Sequence, residues 1–146
     1  MSLISSSSTI KNCRFLNNLA YSDSLYGQGG GIYIDGDSPV VQNCDFVNNY
    51  AYGSNPNGGY LYAGNGGAIF VNMSTATFED CTVGKEVSWW TYPYDNYAND
   101  WYNFYNDLVQ AYEIYILNDL GTPVPTFTNC NVRGNGSYTY EDGGYH

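Results

Sequence analysis

"GGGIYIDGDSPVVQNCDFVNN", residues 29–49, decides the fold, because the same order of residue types returns further along as "GGAIFVNMSTATFEDCTV". Placing Ile32 over Ile69 aligns Cys44 with Cys81 without a gap, since each cysteine lies twelve residues after its isoleucine. Such self-similarity is typical of proteins that grow by stacking similar units. We therefore expect a repeat architecture.

Four segments centred on a cysteine share one pattern of apolar, polar, Asn or Asp, Cys, polar and apolar residues. They are "TIKNCRF" (9–15), "VVQNCDF" (40–46), "TFEDCTV" (77–83) and "TFTNCNV" (126–132). Side chains alternate between two faces of a strand, so apolar residues three positions apart share a face only if the chain bends between them. Asn and Asp tolerate the left-handed backbone of such a bend. We predict bends at Asn12, Asn43, Asp80 and Asn129.

The bends predict which side chains point inward. Before the bend these are Ile10, Val41, Phe78 and Phe127, and after it Cys13 and Phe15, Cys44 and Phe46, Cys81 and Val83, and Cys130 and Val132. The two Gly-Gly strands add Ile32, Ile34, Ile69 and Val71 to the inner face. Units that return in register stack as parallel strands about 4.8 Å apart. We predict an all-β, right-handed parallel β-helix of about four coils, formed by one domain of residues 1–146.

The four cysteines are predicted to lie above one another in this stack. Two disulfides are the usual expectation for an extracellular chain. Parallel strands, however, hold neighbouring Cβ atoms nearly as far apart as their Cα atoms, which is wider than a relaxed disulfide prefers. We therefore expect buried free thiols that act as small apolar side chains.

Charge and composition restrict the partners. The chain has 14 acidic and 4 basic residues, a formal charge of −10. This charge repels phosphate backbones and anionic lipid surfaces. No apolar run approaches the length that spans a bilayer. We expect neither a nucleic-acid partner nor insertion into a membrane.

The sequence shows no arrangement of catalytic side chains. Its one histidine is His146, so no Ser-His-Asp or Cys-His set can be built from internal residues. Asp35 and Asp37 fall on a turn, and two carboxylates without further ligands are more typical of a solvated turn than of a calcium site. We predict no enzymatic activity, no cofactor and no metal.

An aromatic-rich insertion at about residues 86–112 interrupts the repeats. Flat Trp and Tyr rings among Asn and Asp suit stacking on a glycan or contact with another subunit. Alternatively, the insertion packs over the side or end of the stack and buries its own apolar surface. The candidate contact residues are Trp89, Trp90, Tyr92, Tyr94, Tyr97, Trp101, Tyr102 and Tyr105.

Two pairs of short motifs resemble a known family. "FLNN" (15–18) is followed by "GGGI" (29–32), and "FVNN" (46–49) is followed by "GGAI" (66–69). These pairs resemble the repeats of chlamydial polymorphic outer-membrane proteins and related right-handed β-helix surface proteins. The resemblance covers roughly residues 9–83. It implies an extracellular or cell-surface location and a repetitive, adhesive role.

Three functional hypotheses follow. The first is a non-enzymatic structural or adhesive module that assembles head-to-tail through its end coils. Aligning His146 with Ile69 supports it, because a following copy's Cys13 then comes after thirteen residues, against twelve within the chain. The equal alternative explanation of the chain ends is that the sequence is a piece of a longer repetitive protein. The second hypothesis is a glycan-binding module, and the third is a fragment of a polysaccharide-processing enzyme.

Overall fold

The computed structural model describes residues 1–22, 27–53, 66–84, 97–98, 114–119, 124–132 and 137–142. All regular secondary structure in these ranges is β-strand, and every pair of neighbouring strands is parallel. The strands are β1 (Ser2–Ile4), β2 (Thr9–Lys11), β3 (Arg14–Leu16), β4 (Leu19–Ser22), β5 (Ile32–Asp35), β6 (Val40–Gln42), β7 (Asp45–Val47), β8 (Tyr50–Gly53), β9 (Ile69–Asn72), β10 (Thr77–Glu79), β11 (Thr82–Val83), β12 (Tyr97–Ala98), β13 (Ile114–Asp119), β14 (Thr126–Thr128), β15 (Asn131–Val132) and β16 (Ser137–Asp142).

The chain visits four sheets in a fixed order. Sheet 1 has the strand order β1-β5-β9-β13-β16, sheet 2 the order β2-β6-β10-β14, sheet 3 the order β3-β7-β11-β15, and sheet 4 the order β4-β8-β12. The first repeat is therefore β1 to β4, the second β5 to β8, the third β9 to β12, and the fourth begins with β13. Each of the first three repeats adds one strand to each sheet, and the fourth adds β13, β14 and β15 to sheets 1, 2 and 3. This confirms the all-β fold with stacked parallel strands.

The strand register agrees with the alignment made from the sequence. Ile32 pairs with Ile69 in sheet 1, and Val41 pairs with Phe78 in sheet 2. Phe78 in turn pairs with Phe127 of the next repeat. Equivalent residues of successive repeats therefore lie directly beside one another, an arrangement compatible with the predicted β-helix.

The predicted bends have left-handed backbone. Asn12, Asn43, Asp80 and Asn129 have φ values of 56°, 50°, 51° and 52°. A second set of bends, which the sequence analysis did not assign, lies at the first Asn of each Asn-Asn pair: φ is 55° at Asn17 and 54° at Asn48. Each repeat thus turns between sheets 2 and 3 at one polar residue, and the first two repeats turn again between sheets 3 and 4.

The inward side chains form one continuous apolar core. Val41, Phe46, Phe78 and Val83 are fully buried, as are the inner residues of β5 and β9. Rings of successive repeats stack on one another, with centroids 4.6 Å apart for Phe15 and Phe46. Burial of these layers is the main stabilising term of the fold.

All four cysteines are free, as expected, but they are not equally buried. Cys44 and Cys81 are buried, Cys130 is half-buried and Cys13 is exposed. The prediction of a buried thiol is therefore wrong for Cys13. Its strands, β2 and β3, are the outermost of sheets 2 and 3, so no described strand stacks on their other side.

The Gly-Gly motifs are explained by close backbone approach. Gly29 and Gly66 have φ values of 64° and 67°. At the next position, a Cβ on Gly30 would lie 2.2 Å from the carbonyl oxygen of Gly67 and 2.4 Å from that of Tyr50. Only glycine allows these two segments to pass so closely.

Two sequence expectations are corrected by the strand pairing. Tyr97 and Ala98, inside the predicted insertion, form β12 and pair with Tyr50 and Ala51 of β8, so this part of the segment belongs to the stack. In sheet 1, Ser137 and not His146 is in register with Ile114 and hence with Ile69. The rest of the predicted insertion lies outside the described residues.

Candidate interaction site

One face of the stack consists entirely of edge strands. We name it the N-terminal edge and define it by β1, β2, β3 and β4, each of which ends its sheet. At the opposite end, β14 and β15 end sheets 2 and 3, whereas sheet 1 extends one strand further, to β16. We name this stepped face the C-terminal edge and define it by β14, β15 and β16.

No strand in the described part of the chain pairs with the outer side of the N-terminal edge. The amide of Val40 donates to the carbonyl of Ser8, and the amide of Asn12 donates to that of Gln42, each at 3.0 Å. Alternate residues of a strand in a parallel sheet face the same neighbour. Thr9 and Lys11 therefore turn their backbone groups away from β6, toward the open side, where they can pair with another strand.

The apolar layers reach this edge incompletely covered. Leu3, Ile10 and Phe15 remain 7–9% exposed, while the equivalent side chains of the second repeat are 0% exposed. The outward side chains Ile4 and Leu19 are also exposed, at 65% and 54%. The core thus ends in an apolar cross-section at the N-terminal edge.

Charge is distributed unevenly between this edge and the rest of the chain. Residues 1–22 hold two of the four basic side chains, Lys11 and Arg14, and none of the 14 acidic ones. Arg14 Nε lies 3.6 Å from Asp45 Oδ2, and both side chains are largely exposed, so this ion pair adds little stability. The N-terminal edge is therefore a cationic region of an acidic molecule.

Side-chain amides connect the repeats at both bends. At the bend between sheets 2 and 3, Asn43 Nδ2 donates to Asn12 Oδ1 at 2.7 Å. Near the bend between sheets 3 and 4, Asn49 is fully buried. Its Nδ2 donates to the Phe15 carbonyl at 2.9 Å, and its Oδ1 accepts from Asn18 Nδ2 at 2.8 Å. The sequence analysis assigned the first set but missed Asn18 and Asn49, although each second Asn of an Asn-Asn pair lies five residues after a cysteine.

The cysteines are built into the stack as weak donors. Cys81 Sγ donates to the Val41 carbonyl at 3.5 Å, and Cys130 Sγ donates to the Phe78 carbonyl at 3.5 Å. Burial raises the pKa of Cys81 to about 12. Its thiol therefore stays protonated at neutral pH and is a poor nucleophile and metal ligand.

An aromatic stack covers the outer face of sheet 1. Tyr33, Phe70 and Tyr115 lie nearly parallel, with ring centroids 5.3 Å and 5.6 Å apart. The rings cover one another's faces, and Phe70 is only 1% exposed, so a sugar ring cannot stack on Phe70. The candidate contact residues Trp89, Trp90, Tyr92, Tyr94, Trp101, Tyr102 and Tyr105 lie outside the described residues, and of Tyr97 only the backbone is described.

The turn at Asp35 and Asp37 is held by hydrogen bonds. Asn72 Nδ2 donates to Asp35 Oδ1 at 2.8 Å, and Ser74 Oγ donates to the Asp37 carbonyl at 2.7 Å. The Asn72 amide, which belongs to a glycosylation-type sequon, thus already has a partner in the stack. Within the described ranges, no group of three or more His, Cys, Asp and Glu side chains is close enough to hold a metal.

In the part of the chain that the structure describes, no helix has the length and apolar character needed to cross a membrane. Comparison of the chain with protein-family models, with curated proteins and with solved structures gave no match. The interpretation of the site therefore depends on its geometry.

Proposed function

We propose that this chain is a non-enzymatic structural or adhesive module of the cell surface, built as a right-handed parallel β-helix, that associates with copies of itself through its edge strands. The order in which the chain visits the four sheets supports the β-helix. The right hand follows from the strong preference of parallel crossover connections. The resemblance of "FLNN" and "FVNN" to repeats of surface adhesins supports the location.

The observation that carries this proposal is the N-terminal edge. Four strands there have no neighbour on one side among the described strands, and the apolar core beneath them is incompletely covered. Monomeric proteins usually block such edges, because exposed strands template pairing with other chains. Outward charges at Lys11 and Arg14 are a modest barrier, and on a molecule of formal charge −10 they attract another copy.

Association is tested by electron microscopy and sedimentation velocity of the purified chain over a range of concentrations. We expect end-to-end oligomers whose length increases with concentration. Discrete monomers at the highest concentration would contradict the proposal.

A variant pair links association to the edge. Lys11→Pro removes an outward backbone donor, a change that edge strands tolerate, and should reduce association at least about tenfold because it blocks the pairing of β2. Lys11→Gln removes the same charge but keeps the amide, so its effect should be much smaller. Equal association of the wild type and Lys11→Pro would show that this edge is not the interface.

A further inference from the structure

The hydrogen bonds between repeats have a direction. Most side-chain donors that form a hydrogen bond to another repeat point toward the preceding repeat, that is, toward the N-terminal edge. They are Asn43 Nδ2, Asn49 Nδ2, Asn72 Nδ2 and Ser74 Oγ. Asn18 Nδ2 and Gln42 Nε2 donate in the opposite direction.

The first repeat has a donor of the same kind, but no described repeat lies on its outer side. Asn12 uses its Oδ1 to accept from Asn43, while its Nδ2 has no acceptor among the described residues. Cys13 Sγ, like the other three thiols, donates to the carbonyl two residues before it, here that of Lys11. At the bend, the N-terminal edge therefore presents the Asn12 side-chain donor, for which a partner must supply an acceptor.

The fourth repeat presents the matching acceptors. The amide of Thr126 donates to the Ala76 carbonyl, and the Thr128 carbonyl accepts from Asp80. Because Thr126 and Thr128 face β10, the Phe127 backbone faces the open side of β14. Its carbonyl is equivalent to that of Phe78, which accepts from Cys130. Asn129 is an exposed Asn at the same kind of bend as Asn12.

We propose that the occupant of the N-terminal edge is the fourth repeat of a second copy, stacked head-to-tail so that Asn12 Nδ2 donates to the partner copy's Asn129 and Lys11 N–H donates to its Phe127 carbonyl. This inference rests on the proposed self-association and adds its direction and register. The contact continues the interface between successive repeats. A head-to-head contact would leave Asn12 Nδ2 without the Asn129 acceptor, so we take the interface to be heterologous, which generates an open filament.

The step at the C-terminal edge has a consequence for sheet 1. In the proposed register, β2 of one copy lies on β14 of the other, and β1 would take the place that β16 occupies beside β13. Stacking therefore requires β16 to leave sheet 1.

Two variants with the same chemical change test the direction. Asn12→Asp keeps the acceptor for Asn43 and removes the outward donor, and the natural Asp80 occupies the same bend with φ 51°. Asn129→Asp keeps the acceptor and adds the same charge at the other edge. We expect Asn12→Asp to raise the critical concentration for assembly about 3- to 10-fold, the range for one lost hydrogen bond, and Asn129→Asp to leave it unchanged or lower it.

The critical concentration is measured by pelleting in 1 M NaCl, where the Debye length falls to about 3 Å and the added charges are screened. Thermal melting of the monomer reports whether either variant changes folding. Equal effects, or a larger effect of Asn129→Asp, would overturn the direction while the self-association proposal stands. A wild type that never assembles would overturn the self-association itself.

Hydrogen exchange of the assembled wild type tests the register. We expect the amides of β2, β3, β14 and β15 to gain protection on assembly, and those of Ser137–Asp142 to lose it. Increased protection of Ser137–Asp142 would instead indicate that β1 pairs on top of β16, and the proposed register would be wrong.

Discussion

Asparagine has two places in the repeat: at one it bends the backbone and also bonds the next repeat, and at the other it is buried and bonds the preceding repeat. Asn12 and Asn43 have left-handed φ values and are exposed, whereas Asn49 is fully buried and binds the Phe15 carbonyl. The first use can be predicted from sequence, because a bend is needed between inward residues three positions apart. The second cannot, because only the stacked neighbour supplies the partners that make a buried amide favourable.

The buried thiol of Cys81 predicts a pH dependence of stability. Burial raises the pKa of Cys81 from 9.0 to about 12. Between these values the unfolded chain releases the thiol proton and the folded chain keeps it, so the unfolded state binds fewer protons and stability falls as pH rises. Below pH 9 both states keep the thiol proton, so the contribution of Cys81 to the free energy of unfolding does not depend on pH.

The measurement is the unfolding free energy of wild type and Cys81→Ala from denaturant titrations at pH 7 to 12. We expect the advantage of the wild type to shrink as pH rises from 9 toward 12. Val83→Ala truncates a buried side chain of the same repeat that does not titrate, so its difference from wild type should not depend on pH. If the difference in unfolding free energy between wild type and Cys81→Ala did not change with pH, the raised pKa of Cys81 would be disproved.

Among the elements, the glycine segments before β5 and β9 are the most sensitive to substitution. Gly30→Ala would place a Cβ 2.2 Å from the Gly67 carbonyl oxygen, and both groups are backbone that cannot rotate away. We expect a loss of about 3 kcal/mol or more in the free energy of unfolding, measured by denaturant titration.

Gly36→Ala is the matched control. Gly36 has a φ of 71°, but the nearest atom to an added Cβ is Ser5 Oγ at 3.9 Å. Only the left-handed backbone is penalised there, at about 1 kcal/mol. Both changes restrict the unfolded chain equally, so a smaller loss for Gly30→Ala than for Gly36→Ala would contradict the close approach.

Strand β12 shows why one element was missed. In the sequence, Tyr97 and Ala98 end the stretch "DNYA" (95–98), which is similar to "NNLA" (17–20) and "NNYA" (48–51). The last two residues of each stretch are in register in sheet 4. The similarity is short and lies among aromatic residues, so periodicity alone does not separate it from its surroundings. Pairing of Tyr97 with Tyr50 identifies it.

For the whole molecule, the position of a residue in the stack determines how much its substitution lowers the free energy of unfolding. Phe78 and Phe127 stack with centroids 4.7 Å apart, but Phe78 has repeats on both sides and is 0% exposed, whereas Phe127 lies on the outermost strand of sheet 2 and is half-buried. We expect Phe78→Ala to cost about 3–5 kcal/mol and Phe127→Ala clearly less, as measured by denaturant unfolding. In a stack where each repeat contacts only its neighbours, equal costs would mean that Phe127 is covered in solution.

The amino-acid sequence by itself determined the bends at Asn12, Asn43, Asp80 and Asn129, the side chains that face the core, and the register in which repeats meet. These features follow from local periodicity, which residue types carry directly. Only the tertiary structure decided that Cys13 is exposed while Cys44 and Cys81 are buried, and that Asn12 Nδ2 has no acceptor among the described residues. Equivalent residues in a repeat have equivalent sequences, but burial and hydrogen bonding depend on whether another repeat lies on top of them.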